Sequence, residues 1–220
     1  MPRRTREEAK EEILDAAMKF LSERPYRELT IPVLMAETSV ERTSFYTSFA
    51  SVPDLVKEVL GRVMVELRAA GWTAYFAGEG DPTDDVRIAI KAAVKVWKRH
   101  GPMLRAICEA APLDRDLEHL WVERALGSAI EASARRIKRD QKLGLAVKGD
   151  ALELATAVNR LIVAYLNERL GRATPVGRKV SAATIERTLQ TMVIGAIYGH
   201  TTDDLTGESS SNQTTSTVRH

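Results

Sequence analysis

The residue types that ordinarily carry catalysis are scarce here and poorly spaced. Cys108 is the single cysteine. A nucleophilic thiol needs a neighbouring base, and Glu109 beside it points elsewhere on a helix. A free cysteine more often serves as a small buried apolar group. Asp116-Leu117-Glu118-His119 resembles one half of a carboxylate-bridged di-iron bundle. That site needs Glu-x-x-His twice with two further glutamates, and a second copy is absent. Cys108 and His119 are separated by an expected helix break and have no partner at zinc-ligand spacing. His119 reads as a surface residue, and His100 as a helix C-terminal residue set against free carbonyls. There is no G-x-S-x-G and no phosphate-cradling glycine loop. These residues therefore predict no catalytic group, no metal and no cofactor.

A different chemistry is written between 42 and 48. Arg42, Thr43, Ser44, Tyr46, Thr47 and Ser48 are all hydrogen-bonding residues with no carboxylate among them, while Phe45 and Phe49 lie four apart on the opposite side. A short helix of this kind suits the major groove of DNA, which admits a helix and presents an unambiguous donor and acceptor code. Arg42 would take a base edge or a phosphate, Thr43, Ser44 and Thr47 would bond to bases, and Tyr46 would reach a phosphate. A second short helix precedes it: Thr30 is a candidate N-cap, Pro32 falls in the first turn, Ile31 and Leu34 are apolar at helical spacing, and Ala36 is small enough for a close crossing. The turn Thr38-Ser39-Val40 joins the two, with Val40 as the apolar plug beneath the corner. Arg3, Arg4 and Arg6 form a basic arm in front. Bulk charge gives no support: the first fifty residues hold eight cationic against nine acidic side chains, a balance of −1. Only the placement of the cations favours DNA.

The opening Leu29-Thr30-Ile31, then Ala36, Val40, Thr43-Ser44-Phe45-Tyr46, Phe49 and Asp54-Leu55 resemble the helix-turn-helix of the TetR family of bacterial transcriptional regulators, across residues 5–60. The family usually has a glycine where Ser39 stands, so a left-handed backbone there would carry strain of about 1 kcal/mol. It usually has a phosphate-binding lysine at Val52 and an aromatic or histidine at Ser48. The resemblance implies a homodimer on double-stranded, palindromic operator DNA, most often as a repressor, with Thr30 and Ser48 among the DNA-facing residues. Further along, LWVERA, LATAVN, LNER and AIYG are similar to the ligand domain of the subgroup that includes the mycobacterial repressor of ethionamide activation. That similarity implies a small hydrophobic effector.

The elements that must position these groups are all helical. Neither a repeat nor a strand-like alternation interrupts the helical periodicity, and the pattern predicts an all-α chain of about nine helices. Residues 1–52 form a three-helix DNA-binding unit, 53–200 an effector-binding and dimerisation bundle, and 201–220 a polar, disordered tail. The first helix is capped by Thr5 with Glu8 in a capping box, carries the stripe Ala9, Ile13, Ala16, Ala17 and Phe20, and ends near Arg24 before Pro25. A long fourth helix over 52–77 links the two units as a rigid rod. Helices over 83–100 and 103–111 flank the Gly101-Pro102 break, and a long amphipathic helix spans 114–142. The last two, over 150–171 and 181–200, are apolar on more than one face and predict a homodimer through a four-helix bundle. Trp72, Phe76, Trp97, Met103, Ile107, Trp121, Ile162, Tyr165 and Leu166 are candidates to line an apolar cavity, with Asn159 and Asn167 as polar groups inside it.

Length and composition agree with an ordinary globular chain: 220 residues, 44% hydrophobic, 28% charged, net charge +2. No apolar run is long enough for a membrane span, no apolar stretch follows the N-terminal arginines as a secretory signal would require, and one cysteine fits a reducing cytoplasm. The competing reading from another class is a helical-bundle enzyme, or a metal- or apolar-ligand-binding protein that does not touch DNA.

Overall fold

The Thr5 hydroxyl accepts from the Glu8 amide at 3.2 Å and the Glu8 carboxylate accepts from the Thr5 amide at 2.8 Å, so the expected capping box opens the first helix, α1 (Arg6–Glu23). The computed structural model describes residues 5–78, 80–172 and 178–199, Arg124 by its backbone only. Arg3, Arg4 and the tail over 201–220 lie outside the described residues. A 3₁₀ turn (Tyr26–Glu28) follows Pro25, then α2 (Ile31–Ala36), α3 (Arg42–Ser48), α4 (Val52–Ala69), α5 (Ala74–Ala77) and α6 (Pro82–Ala110). A second 3₁₀ turn (Ala111–Leu113) leads into α7 (Arg115–Glu118), a π-helical segment (His119–Leu126) and α8 (Gly127–Lys142), which run on without a break. The chain closes with α9 (Ala151–Leu170) and α10 (Ala182–Tyr198). The fold is all-α.

Two boundaries differ from the sequence reading. The expected rod over 52–77 stops at Ala69, because Gly71 turns the chain with φ +103, a conformation that suits glycine. A Cβ there would sit 2.8 Å from Ile88 Cγ2, so the turn also seats the chain against α6. Val65, apolar though it is, stands on the outer side of α4 and is 58% exposed. Conversely, the helix expected to end at Gly101-Pro102 passes straight through both residues. Proline there loses one backbone hydrogen bond. Continuing the helix buries Met103, Leu104 and Ile107 almost completely, and bare Gly101 lets α9 end against it: a Cβ would lie 2.2 Å from the Leu170 carbonyl oxygen. Burial of three large side chains outweighs one missing bond. The cap of α6 is Asp81, whose carboxylate accepts from the Thr83 and Asp84 amides.

One apolar core runs from Ile13, Phe20 and Leu34 through Phe45, Phe49 and the inner side of α4 into Val86, Trp97 and Ile107. Helix α6 is its centre: α1, α4, α9 and α10 all pack on it. Ala36, expected at a close crossing, is exposed, and Met35 is the buried neighbour. His100 is a mid-helix residue of α6 rather than a terminal one. It is buried, with Nε2 3.1 Å from Glu66 Oε2 on α4. Asp114 ties the turn after α1 to the start of α7. One carboxylate oxygen accepts from the Asp116 and Leu117 amides at 3.1 Å and so caps α7, while the other accepts from the Tyr26 hydroxyl at 3.1 Å.

A buried polar knot went unseen in the sequence. Arg136 on α8 donates to Asp140 (2.7 Å), to Asp85 of α6 (2.9 Å) and to the Tyr75 carbonyl of α5 (2.8 Å). The Tyr198 hydroxyl of α10 donates to Asp140 at 2.9 Å and lies 3.1 Å from the Tyr75 hydroxyl. Three helices meet at one guanidinium, and α10 joins them through Asp140. Each member is paired, as buried charges must be.

Candidate functional site

The helix-turn-helix stands as two helices, α2 and α3, joined by a turn that α1 closes. The Thr30 hydroxyl accepts from the Val33 amide at 3.4 Å, so this residue is the cap of α2. The Ser39 backbone is not left-handed; no described residue other than glycine has positive φ, and the anticipated strain is absent. Instead the Ser39 amide and hydroxyl both donate to the Glu12 carboxylate of α1, the hydroxyl at 2.7 Å. A long-range carboxylate holds a corner where the family usually places glycine. Val40 is half-buried and packs on the core beneath it.

Phe45 and Phe49 are buried with ring centroids 5.5 Å apart, and this anchors α3 with its other side outward. Arg42, Thr43, Tyr46 and Thr47 are exposed, and Ser44 is half-buried. The Arg42 guanidinium donates to the Tyr46 hydroxyl at 3.4 Å, one turn along the same face. Arg6 donates to the Thr47 carbonyl and so seats the start of α1 beside the end of α3. Ser48 departs from the expected set: its hydroxyl oxygen is buried and has no hydrogen-bond partner, so it does not join the outward face. Val52 is half-buried against the core, and Ser51 caps α4 by accepting from the Asp54 amide at 3.3 Å.

Behind this head lies an apolar chamber of about 100 Å³ between α4, α6, the π-helical segment and α9. Of the candidates, Trp72, Trp97, Trp121, Asn159 and Ile162 line it. Met103, Ile107 and Leu166 are instead completely buried in the core, outside the chamber lining. Tyr165 lies outside it, its ring under the Arg169 guanidinium at 5.5 Å. Phe76 packs edge-on against Trp72 at 4.6 Å and borders the neighbouring openings rather than the chamber. The sequence reading missed Leu60, Val63, Met64 and Leu67, the chamber wall supplied by α4. Their helical spacing was visible, but spacing alone does not say whether a buried stripe meets side chains or space.

Polar groups in the chamber are few and assigned. Asn159 donates to the Ser133 hydroxyl (3.0 Å) and to the Ala155 carbonyl (2.8 Å), which orients its amide oxygen as the remaining acceptor. Asn167 does not line the chamber; its amide oxygen accepts from the Trp97 indole at 2.9 Å and fixes that ring. Burial pushes the Cys108 thiol up to about 12, so it stays protonated and is a poor nucleophile. His119 is exposed, with Nδ1 2.6 Å from Glu123, and no group of three or more possible metal ligands occurs among the described residues. No helix among them is long and apolar enough to cross a membrane.

The comparisons with known proteins match this geometry. Residues 13–59 match the family model described as bacterial regulatory proteins, tetR family, and residues 86–199 match that of the transcriptional regulator EthR, C-terminal domain. No curated protein matches the chain at a significant level. Among solved structures, a candidate TetR-family regulator from Syntrophomonas wolfei superposes with TM-score 0.71 at 14% identity, covering 87% of this chain and 95% of its own. The TetR-family regulator PfmR from Thermus thermophilus gives 0.62 at 18%, covering 84% and 97%. A candidate regulator from Saccharomonospora viridis, solved in complex with choline, gives 0.63 at 22%, covering 87% and 98%. At these identities the structures speak for the fold alone, whereas the two family models together take in both the reading head and the bundle. The chain belongs to the TetR family of DNA-binding transcriptional regulators, with a C-terminal domain of the EthR type.

Proposed function

We propose that this regulator is a homodimeric repressor of a palindromic operator, released when a small, mainly apolar molecule enters the chamber. The observation that carries this reading is the course of α4. The same helix begins at the reading head, where Leu55 and Val56 are buried in its core, and then supplies Leu60, Val63, Met64 and Leu67 to the chamber wall. An occupant that pushes on those side chains tilts the helix that carries α3. The chamber is smaller than the few hundred cubic ångströms of a typical ligand site, so an occupant must open it to fit. That opening is the differential interaction a ligand needs to shift a population.

Arg42, Thr43, Ser44, Tyr46 and Thr47 form the reading surface in this proposal, with Arg3, Arg4 and Arg6 as phosphate contacts and Thr30 at the start of α2. Asn159 offers its amide oxygen to a donor on the ligand. Dimerisation falls to α9 and α10. Helix α9 is rich in apolar residues, yet only Ala155 and Leu166 are fully buried along its twenty residues, and Leu152 and Met192 are about half exposed. A second copy would cover what one chain leaves open.

Fluorescence anisotropy on DNA from the regulator's own upstream region tests this. Arg42→Ala and Tyr46→Phe should each weaken binding about 5- to 100-fold, the range of one or two lost contacts, while sedimentation still reports a dimer. Affinity equal to that of the parent chain in both variants would overturn the reading surface.

A further inference from the structure

The geometry points to an effector that is an anionic amphiphile: an apolar chain ending in a carboxylate or similar head group, lying along the outer side of α4. This rests on the reading above that an apolar effector acts on α4, names the class of molecule, and seats it in the groove beside the chamber rather than in the chamber alone. An open groove of about 340 Å³ runs between α4 and the π-helical segment with the start of α8. Its floor is apolar, including Leu60, Met64, Phe76 and Leu120, and it shares Leu60, Met64, Trp72 and Ala125 with the chamber, so the two spaces have a common wall. Among the described residues no charged side chain lines the chamber. Among them the groove has two, Lys57 and Arg68, and no carboxylate.

Both are exposed, and neither has an ion-pair or hydrogen-bond partner among the described residues, although most other arginines of the bundle do. Lys57, Gly61, Met64 and Arg68 fall at i, i+4, i+7 and i+11, one stripe of α4, which places the two cations about 16 Å apart along the axis. Between them Gly61 faces empty space, with nothing within 4 Å of where a Cβ would stand. A groove with an apolar floor, unpaired cations at its rim and a gap at its centre complements a chain with an anionic end. It does not complement a cation, and it gives a neutral alcohol no advantage.

Dodecanoate, dodecanol and dodecyltrimethylammonium test this in the full chain, each below its micellar concentration, with tryptophan fluorescence as the readout. Dodecanoate should bind at least tenfold more tightly than dodecanol, and the ammonium compound most weakly. The Lys57→Ala/Arg68→Ala double variant should bring dodecanoate to the dodecanol value while dodecanol itself changes less than twofold. Gly61→Leu, whose Cβ would meet nothing within 4 Å and whose branched end would project into the groove, should weaken both by tenfold or more, with the melting temperature reporting that the chain still folds. Equal binding of acid and alcohol, or an acid preference that survives in the double variant, overturns the anionic class and leaves an apolar effector standing. Unaltered binding in Gly61→Leu overturns the groove as its seat. Failure of all three compounds to bind a chain that still binds its operator removes the apolar-effector reading as well.

Discussion

A hydroxyl buried without a partner costs stability, and Ser48 carries one at the end of the reading helix. Ser48→Ala should therefore raise stability by about 1 kcal/mol, read as a higher melting temperature, and leave operator affinity within twofold because the oxygen does not face outward. The tyrosines of the polar knot give a second expectation. The Tyr198 hydroxyl is pushed up from its ordinary value, first by burial and then by the neighbouring Tyr75 and Asp140, and burial likewise raises Tyr75. In the unfolded chain both phenols lose their protons near pH 10. Above that pH the folded chain holds more protons than the unfolded one, so stability is fully present below about pH 10 and falls as pH rises beyond it. Thermal melts from pH 9 to 11 should show that fall, less steeply in Tyr198→Phe. At this scale the sequence was legible wherever a residue acts on near neighbours. The Thr5 and Glu8 capping box, the Thr30 cap and the Phe45–Phe49 anchor could all be read from spacing. Ser39 could not, because its partner Glu12 is 27 residues away and no spacing rule connects them.

Helix order was legible in the same measure, and its failures share one cause. The count of about nine holds among the described residues when the run from α7 through α8 is taken as one helix, but two misplaced ends offset each other. Gly71 broke a helix that its apolar periodicity would have continued, and Gly101-Pro102 failed to break one. In both places the deciding contact comes from another helix, Ile88 in the first and the end of α9 in the second. Local propensity is a weak prior against packing of that kind. Gly101→Ala separates the two influences. Alanine is the better helix former by about 1 kcal/mol, yet its Cβ would meet the Leu170 carbonyl oxygen at 2.2 Å. Crowding should win, with a net loss of about 1–3 kcal/mol visible as an earlier denaturation midpoint. The π-helical segment has no counterpart in the sequence reading, since its residues fit an ordinary amphipathic helix.

Across the whole molecule the charge balance said little and the arrangement said more. The net charge of +2 carries no mark of a nucleic-acid protein, and the reading surface emerged from a run of seven residues without a carboxylate. The chamber was foreseen as a property of aromatic residues, but it is shaped as much by the aliphatic wall of α4, which connects it to the head. If that connection transmits release, thermodynamics requires the converse. Operator DNA must lower the affinity for the effector by the same factor by which the effector lowers affinity for DNA, and calorimetric titration with and without operator checks this. Asp114 adds a constraint of its own. The same carboxylate that starts the rod from α7 to α8 also receives, on its other oxygen, the Tyr26 phenol behind the reading head. Asp114→Ala would remove the helix start and the phenol's partner together, whereas Tyr26→Phe would remove only the second. Two parts of the chain 88 residues apart thereby draw on one side chain, so a single substitution there reaches both.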